Sequence, residues 1–142
     1  MLTEQVEKAK REGKKLITAT GTCRFCKQLA TLETLEEWTQ EEIDELITET
    51  CDCAFAGDYT HKKKQKARAH DKIEMLFVKD ETVVVYEDTV ELLHKAVSPI
   101  CEGNIQSITV DTGKGIKGKI NITAKGKIKV TRMIADTSAY EA

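Results

Sequence analysis

Gly21-Thr22-Cys23-Arg24-Phe25-Cys26 and, further along, Thr50-Cys51-Asp52-Cys53 decide how the N-terminal half of this chain folds. A C-x-x-C pair and a C-x-C pair, 24 residues apart, supply four thiolates. Short-spaced pairs bring two ligands each to a tetrahedral ion at little backbone entropy cost, and Zn2+ favours such a set. The β-prone run Lys15 to Thr20 leads into the first pair, which has the spacing of a zinc knuckle. Cys23, Cys26, Cys51 and Cys53 are therefore the expected ligands of one structural zinc.

Three other readings of these thiols carry less. Buried cysteines are ordinary core residues, but two close-set pairs are more than a core needs. A redox pair at Cys23 and Cys26 lacks a βαβ setting and leaves Cys51 and Cys53 idle. An iron–sulfur cluster also takes four thiolates; nothing else in the chain points to electron transfer. Cys101 reads as a core thiol beside Pro99. His61 and His70 lie in a lysine-rich helix and His94 on another helix, places where solvation or partial burial is the ordinary fate.

Outward from the cysteines, the punctuation marks the elements. Thr3 caps a short helix that ends near Gly13. Thr39 and Glu42 form a capping box ahead of a helix with Ile43, Leu46 and Ile47 on one face, and Trp38 with Ile43 fits a hydrophobic staple. Glu41, Asp44, Glu45 and Glu49 point from that helix to water. Residues 54–60 read as irregular around Gly57, with helix resuming from Thr60 to Phe77. Thr82 to Tyr86 reads as a strand. Asp88 and Glu91 cap a helix that Pro99 stops. Ile105 to Val110 is a strand, and a hairpin closes the chain with Ile120 and Ile122 on one arm and Ile128 and Val130 on the other.

The expected class is α+β: a zinc-ribbon or treble-clef-like four-cysteine module over 1–60, then a small sheet with a helix and a C-terminal β-hairpin over 61–135. Residues 136–142 read as a disordered tail.

The formal net charge of −2 over 142 residues hides a segregated distribution. Eight acids and no base lie between Glu33 and Glu49. Lys62, Lys63, Lys64, Lys66 and Arg68 follow in one run. Lys117, Lys119, Lys125, Lys127 and Lys129 hold odd positions and Ile116, Ile120, Ile122, Ile128 and Val130 even ones. Period-two alternation sets the lysines on one face as a comb that can neutralise phosphates. Lysines on strands also suppress edge-to-edge association. No aromatic is interleaved with them, so base stacking has no support there.

No apolar run has the length of a membrane span, and the N-terminus lacks an apolar signal core; a cytoplasmic protein is expected. No Walker loop, dinucleotide fingerprint or nucleophile–base pair stands out, and four thiolates would close a zinc shell, so no enzymatic activity is expected.

Thr22-Cys23-Arg24-Phe25-Cys26-Lys27-Gln28, Cys51-Asp52-Cys53 and Ile122 to Arg132 together resemble uncharacterised proteins encoded by phages and prophages of Firmicutes. The resemblance covers most of the chain and implies an accessory protein of the bacterial host cytoplasm, with no activity attached. Lys27 departs from the pattern, since a zinc knuckle often has glycine there.

The leading expectation is a non-enzymatic protein that binds nucleic-acid backbone through its lysines. The alternatives are a protein-binding regulator or inhibitor of a host machine, whose acidic face is Glu36, Glu37, Glu41, Asp44 and Glu45, and a redox or iron–sulfur protein.

Overall fold

The computed structural model describes residues 1–134, in an α+β arrangement of four helices and two small antiparallel sheets. The chain divides into two compact units, Met1–Lys64 and Gln65 onward. The expectation for residues 136–142 lies outside the described residues.

Unit 1 begins with α1 (Leu2–Arg11), then a hairpin of β1 (Leu16–Thr22) and β2 (Leu29–Leu35), α2 (Gln40–Thr50), and the first part of α3 (Ala54–Phe77). The strands pair from Leu16 opposite Leu35 to Thr22 opposite Leu29. Gly21 lets β1 approach α2, for a Cβ there would lie 2.8 Å from Cγ1 of Ile47 and 2.9 Å from Oδ1 of Asp44. The predicted capping box is present: Glu42 N donates to Thr39 Oγ1 and Thr39 N to Glu42 Oε1, both at 3.3 Å. As expected, α2 buries Ile43, Leu46 and Ile47.

The core of this unit is small. One cluster consists of Cys23, Ile47 and Ala56, with Ala30, Leu32, Cys51 and Cys53 packed against it. Val6, Ala9, Ile43 and Leu46 are buried as well, and a core of this size is one to which a covalent or metal staple adds substantially.

Several expectations are corrected here. Thr3 does not cap α1, which starts after Met1 without a side-chain cap. Glu49 takes that role from across the unit, its Oε1 and Oε2 accepting from the N–H groups of Leu2 and Thr3 at 3.2 and 3.0 Å. A carboxylate at a helix N-terminus meets both the unpaired N–H groups and the positive end of the dipole. The acidic run does not lie on one helix, since Glu33 belongs to β2. Residues 54–60 are helical rather than irregular; α3 starts at Ala54, and Gly57 sits within it.

Unit 2 holds the rest of α3, α4 (Glu87–Cys101), and the sheet of β3 (Ser107–Asp111), β4 (Ile116–Ile122) and β5 (Ile128–Ile134), in the order β3-β4-β5. Its core joins Ala69, Ile73 and Phe77 of α3, Val90, Leu93, Ala96, Val97 and Ile100 of α4, and Ile120. Ile108, Val110, Ile116, Ile122, Ile128 and Val130 cover it from the sheet. Gly118 permits this close approach, because a Cβ would come within 3.0 Å of Phe77.

Three expectations fail in this unit. Pro99 does not stop α4, which runs on to Cys101 with the proline inside its last turn. Nor is Asp88 its cap, since the helix begins after Tyr86, which makes no side-chain cap bond. Thr82 to Tyr86 is not a strand of either sheet; Val83 to Tyr86 runs without turn or bend and without a ladder partner among the described residues.

Candidate metal centre

The four predicted cysteines converge. Their Sγ atoms all lie within 4.8 Å of one another. Cys26 and Cys51 are 3.5 Å apart, and Cys23 and Cys53 are 3.9 Å apart. Metal–sulfur bonds of about 2.3 Å at tetrahedral angles require S···S edges of about 3.8 Å, so the four atoms already outline the shell of a single ion. The set can hold a metal ion.

Local structure explains the convergence. The first pair forms the tip of the β1–β2 hairpin, just beyond the last strand pair. Cys23 N donates to Gln28 O at 3.0 Å and Lys27 N to Cys23 O at 3.1 Å, which closes the loop. The return needs one left-handed residue, and Lys27 supplies it with φ +63°. This is the position where glycine would be cheaper; a lysine there stores strain that the fixed loop ends hold in place. The second pair spans the α2–α3 junction. Cys51 is the C-cap of α2 in an extended conformation, and Gly57 N donates to Cys53 O as α3 begins. Thiolate charge beside the start of α3 meets the positive end of that helix.

Burial is graded. Cys23 is fully buried, Cys51 and Cys53 are half-buried, and Cys26 is exposed. Burial alone would raise the Cys23 thiol. The backbone N–H groups of Cys26 and Phe25, helped by the neighbouring sulfurs, outweigh it and hold that thiol at about 6. Cys51 shows the reverse. The Cys53 backbone N–H lowers it, but the crowded thiols around it and burial push it up to about 12. Thiols this close cannot all ionise without a cation, and a metal supplies one.

Helix α2 fixes the knuckle through Thr48, not among the expected site residues, and Asp44, expected on the acidic face instead. Thr48 Oγ1 accepts from Arg24 N at 3.0 Å while donating to Asp44 O at 2.9 Å. Asp44 Oδ1 accepts from Thr22 N at 2.9 Å and from Gln40 Nε2 at 3.0 Å. These bonds, the Thr22 N–H foremost, hold the Asp44 carboxyl below its ordinary value. Hydrogen bonds of this kind, from groups just behind the ligands, hold the loop so that its sulfurs keep their direction.

Asp44 and Glu45 of the acidic face, and Glu49 beside them, are committed inside unit 1. Glu45 accepts from Tyr59 Oη and Lys63 Nζ, each at 2.7 Å, and from Arg24 at 3.4 Å. Burial would raise the Glu45 carboxyl, yet Lys63 and Tyr59 lower it overall. The Glu49 side chain is 0% exposed and takes Lys63 at 2.7 Å. Burial works against the Lys63 ammonium, but its bonds to Glu45 and Glu49 raise it on balance. Asp44, Glu45 and Glu49 do not point freely to water as expected; Glu36, Glu37 and Glu41 do stand exposed.

The basic residues fall into two groups. Of the helical run, Lys63 is taken by acids within unit 1, Lys62 lies 3.7 Å from Asp58, and Lys66 pairs with Glu102 at 2.9 Å. Lys64 and Arg68 are exposed. In the sheet, Lys117, Lys119 and Lys129 share the face opposite the core; Lys119 lies between Thr109 and Thr131, Lys129 opposite Asn121, and Lys117 between Asp111 and Met133, with its Nζ 3.8 Å from the Asp111 carboxylate. Lys125 and Lys127 are not in strands, contrary to the five-tooth comb; they lie exposed in the turn closed by Thr123 N to Lys127 O at 2.8 Å. Gly126, with φ +76°, makes that turn possible.

The remaining histidines do not approach the cysteine cluster's geometry. His70 and His94 meet Nδ1 to Nδ1 at 2.7 Å within unit 2, and His94 Nε2 meets Glu74 at 2.6 Å. Burial, with His94 beside it, lowers the His70 imidazole.

Comparison with known proteins finds no matching family model, no matching curated protein and no matching solved structure. No helix among the described residues is long and apolar enough to cross a membrane.

Proposed function

We propose that this chain is a non-enzymatic binding module in which one zinc ion staples unit 1 and the outer face of the β3-β4-β5 sheet engages nucleic-acid backbone. In the setting that its sequence resemblance implies, it serves as a phage or prophage accessory protein of the host cytoplasm. Zinc suits the donor set, since four thiolates in a tetrahedron select Zn2+ or iron. An iron–sulfur cluster distributes its thiolates over several irons and holds them farther apart than one ion does. Sulfurs within 4.8 Å of one another favour the single ion. A shell filled by four protein ligands leaves no position for substrate, which supports a structural role.

The observation that carries the binding role is the shared outer face of Lys117, Lys119 and Lys129, where Lys119 and Lys129 lie beside hydroxyl and amide side chains and Lys117 lies 3.8 Å from Asp111, a carboxylate that phosphate would have to displace. Three phosphate contacts give a log–log salt slope of about −3 on duplex DNA, or roughly 40-fold weaker binding from 50 to 200 mM salt. Fluorescence anisotropy with a labelled duplex measures this. Changing all three lysines to Glu should abolish binding. Absence of binding at low salt, or binding that survives the triple change, overturns the reading. The acidic-face alternative loses ground because Asp44 and Glu45 are already engaged.

A further inference from the structure

The run Thr82-Val83-Val84-Val85-Tyr86 is the most β-prone in the chain, yet it belongs to no sheet. β-Branched and aromatic residues suit a pleated ladder, and their backbone groups are strong donors and acceptors. Val83 N donates to Asp80 O. Among the described residues, the N–H groups of Val84 and Val85 make no hydrogen bond. The side chains nevertheless alternate as in a strand. Val83 is 6% exposed and Val85 packs on the core, while Val84 and Tyr86 are 68% and 63% exposed. Tyr86 is extended, with φ −68° and ψ 149°. One side of the strand is anchored and its ladder is missing.

A groove of about 520 Å³ runs beside it, lined by Phe77, Val78, Val83, Val85 and Val90, with Glu87 and Glu74, the latter already held by His94 Nε2 at 2.6 Å, as the charged residues of its lining. Glu81 and Asp88, both exposed, extend the negative charge at either end. Two cations stand nearby: exposed Lys79, and Lys114, which is held on Tyr86 with its Nζ 2.9 Å from the hydroxyl. Asp80 is occupied by Arg132 at 2.7 Å.

We infer that Val83–Tyr86 is a docking strand that takes an extended segment of a partner protein by strand addition, and that this segment alternates apolar residues with lysine or arginine. Main-chain bonds to the open strand would supply affinity, and the groove with its carboxylates would select the side chains. A second copy of this chain is the poorer occupant. Antiparallel self-pairing across all of Thr82–Tyr86 sets Glu81 opposite Glu87, and like charges directly opposite are destabilising. The inference is independent of the metal centre and of the nucleic-acid reading.

The test uses the full chain with two blocked hexapeptide probes, Lys-Val-Lys-Val-Lys-Val and Glu-Val-Glu-Val-Glu-Val, read by amide hydrogen exchange and titration. The basic peptide should bind saturably and slow exchange by roughly tenfold or more at Val84, whereas Val85, whose N–H points to the opposite edge, should change less. The acidic peptide should not. Glu81→Lys together with Glu87→Lys lies at exposed positions and should reverse the preference. Val84→Pro, which deletes one ladder donor, should remove binding of the basic peptide. Three results overturn the inference: no slowing at Val84 by millimolar basic peptide, equal binding of both peptides, or a Val84 amide already protected in a free protein that runs as a dimer.

Discussion

Lys63→Met tests whether the basic run on α3 serves the fold or the surface. The ammonium sits 2.7 Å from both Glu45 and Glu49. Glu45 keeps Tyr59 and Arg24 if the lysine is lost. The Glu49 side chain, 0% exposed, keeps only the Leu2 and Thr3 N–H groups. Stranding one member of a buried ion pair costs about 3–5 kcal/mol. The two remaining donors and the 31% exposure of Lys63 draw the expectation to the low end, about 3 kcal/mol. Glu49→Gln should cost less, about 1–2 kcal/mol, because Lys63 still has Glu45 and an amide oxygen can still accept from α1. Trp38, the single tryptophan, lies in unit 1 and reports its unfolding in urea at fixed metal concentration. A cost below about 1 kcal/mol for Lys63→Met, or a larger cost for Glu49→Gln, would refute the reasoning.

Glycine positions give a paired expectation. Gly21→Ala drives a Cβ to 2.8 Å from Ile47 and should destabilise unit 1 by about 1–3 kcal/mol. Gly57→Ala meets open space inside α3 and should stabilise by about 0.5–1 kcal/mol; both are read from urea midpoints. Acid sensitivity follows from Asp80, whose carboxyl is held at about 2 by the Thr82 hydroxyl and N–H and by Arg132. Its folded value lies below the ordinary one, so its contribution is complete above about pH 4 and disappears as pH falls through 2. Asp80→Asn should therefore flatten the pH dependence of unit 2 stability in that window, as followed by circular dichroism.

The parts of the fold that local chemistry encodes were legible. The capping box at Thr39, the apolar stripe of α2 and the closing hairpin rest on spacing alone, and they stand where the spacing puts them. The cysteine cluster was legible for the same reason, because the two pairs have few uses other than one ion. What failed depended on partners distant in sequence. Glu49 takes over the cap of α1 from 46 residues away, which no local pattern announces. β2 was read over because Glu33 and its neighbours look like the start of an acidic helix, whereas pairing with β1 decides the matter. Pro99 ends no helix because the last turn of α4 tolerates it. Thr82–Tyr86 has every local mark of a strand and lacks only the neighbour that would make it one.

Metal content of freshly purified, fully reduced protein, measured by elemental mass spectrometry against chain concentration, bears most directly on the four-thiolate centre. One zinc per chain is predicted, falling sharply in Cys53→Ser. Protein with no stoichiometric metal, whose Trp38 emission and helical signal ignore strong chelators, would contradict it.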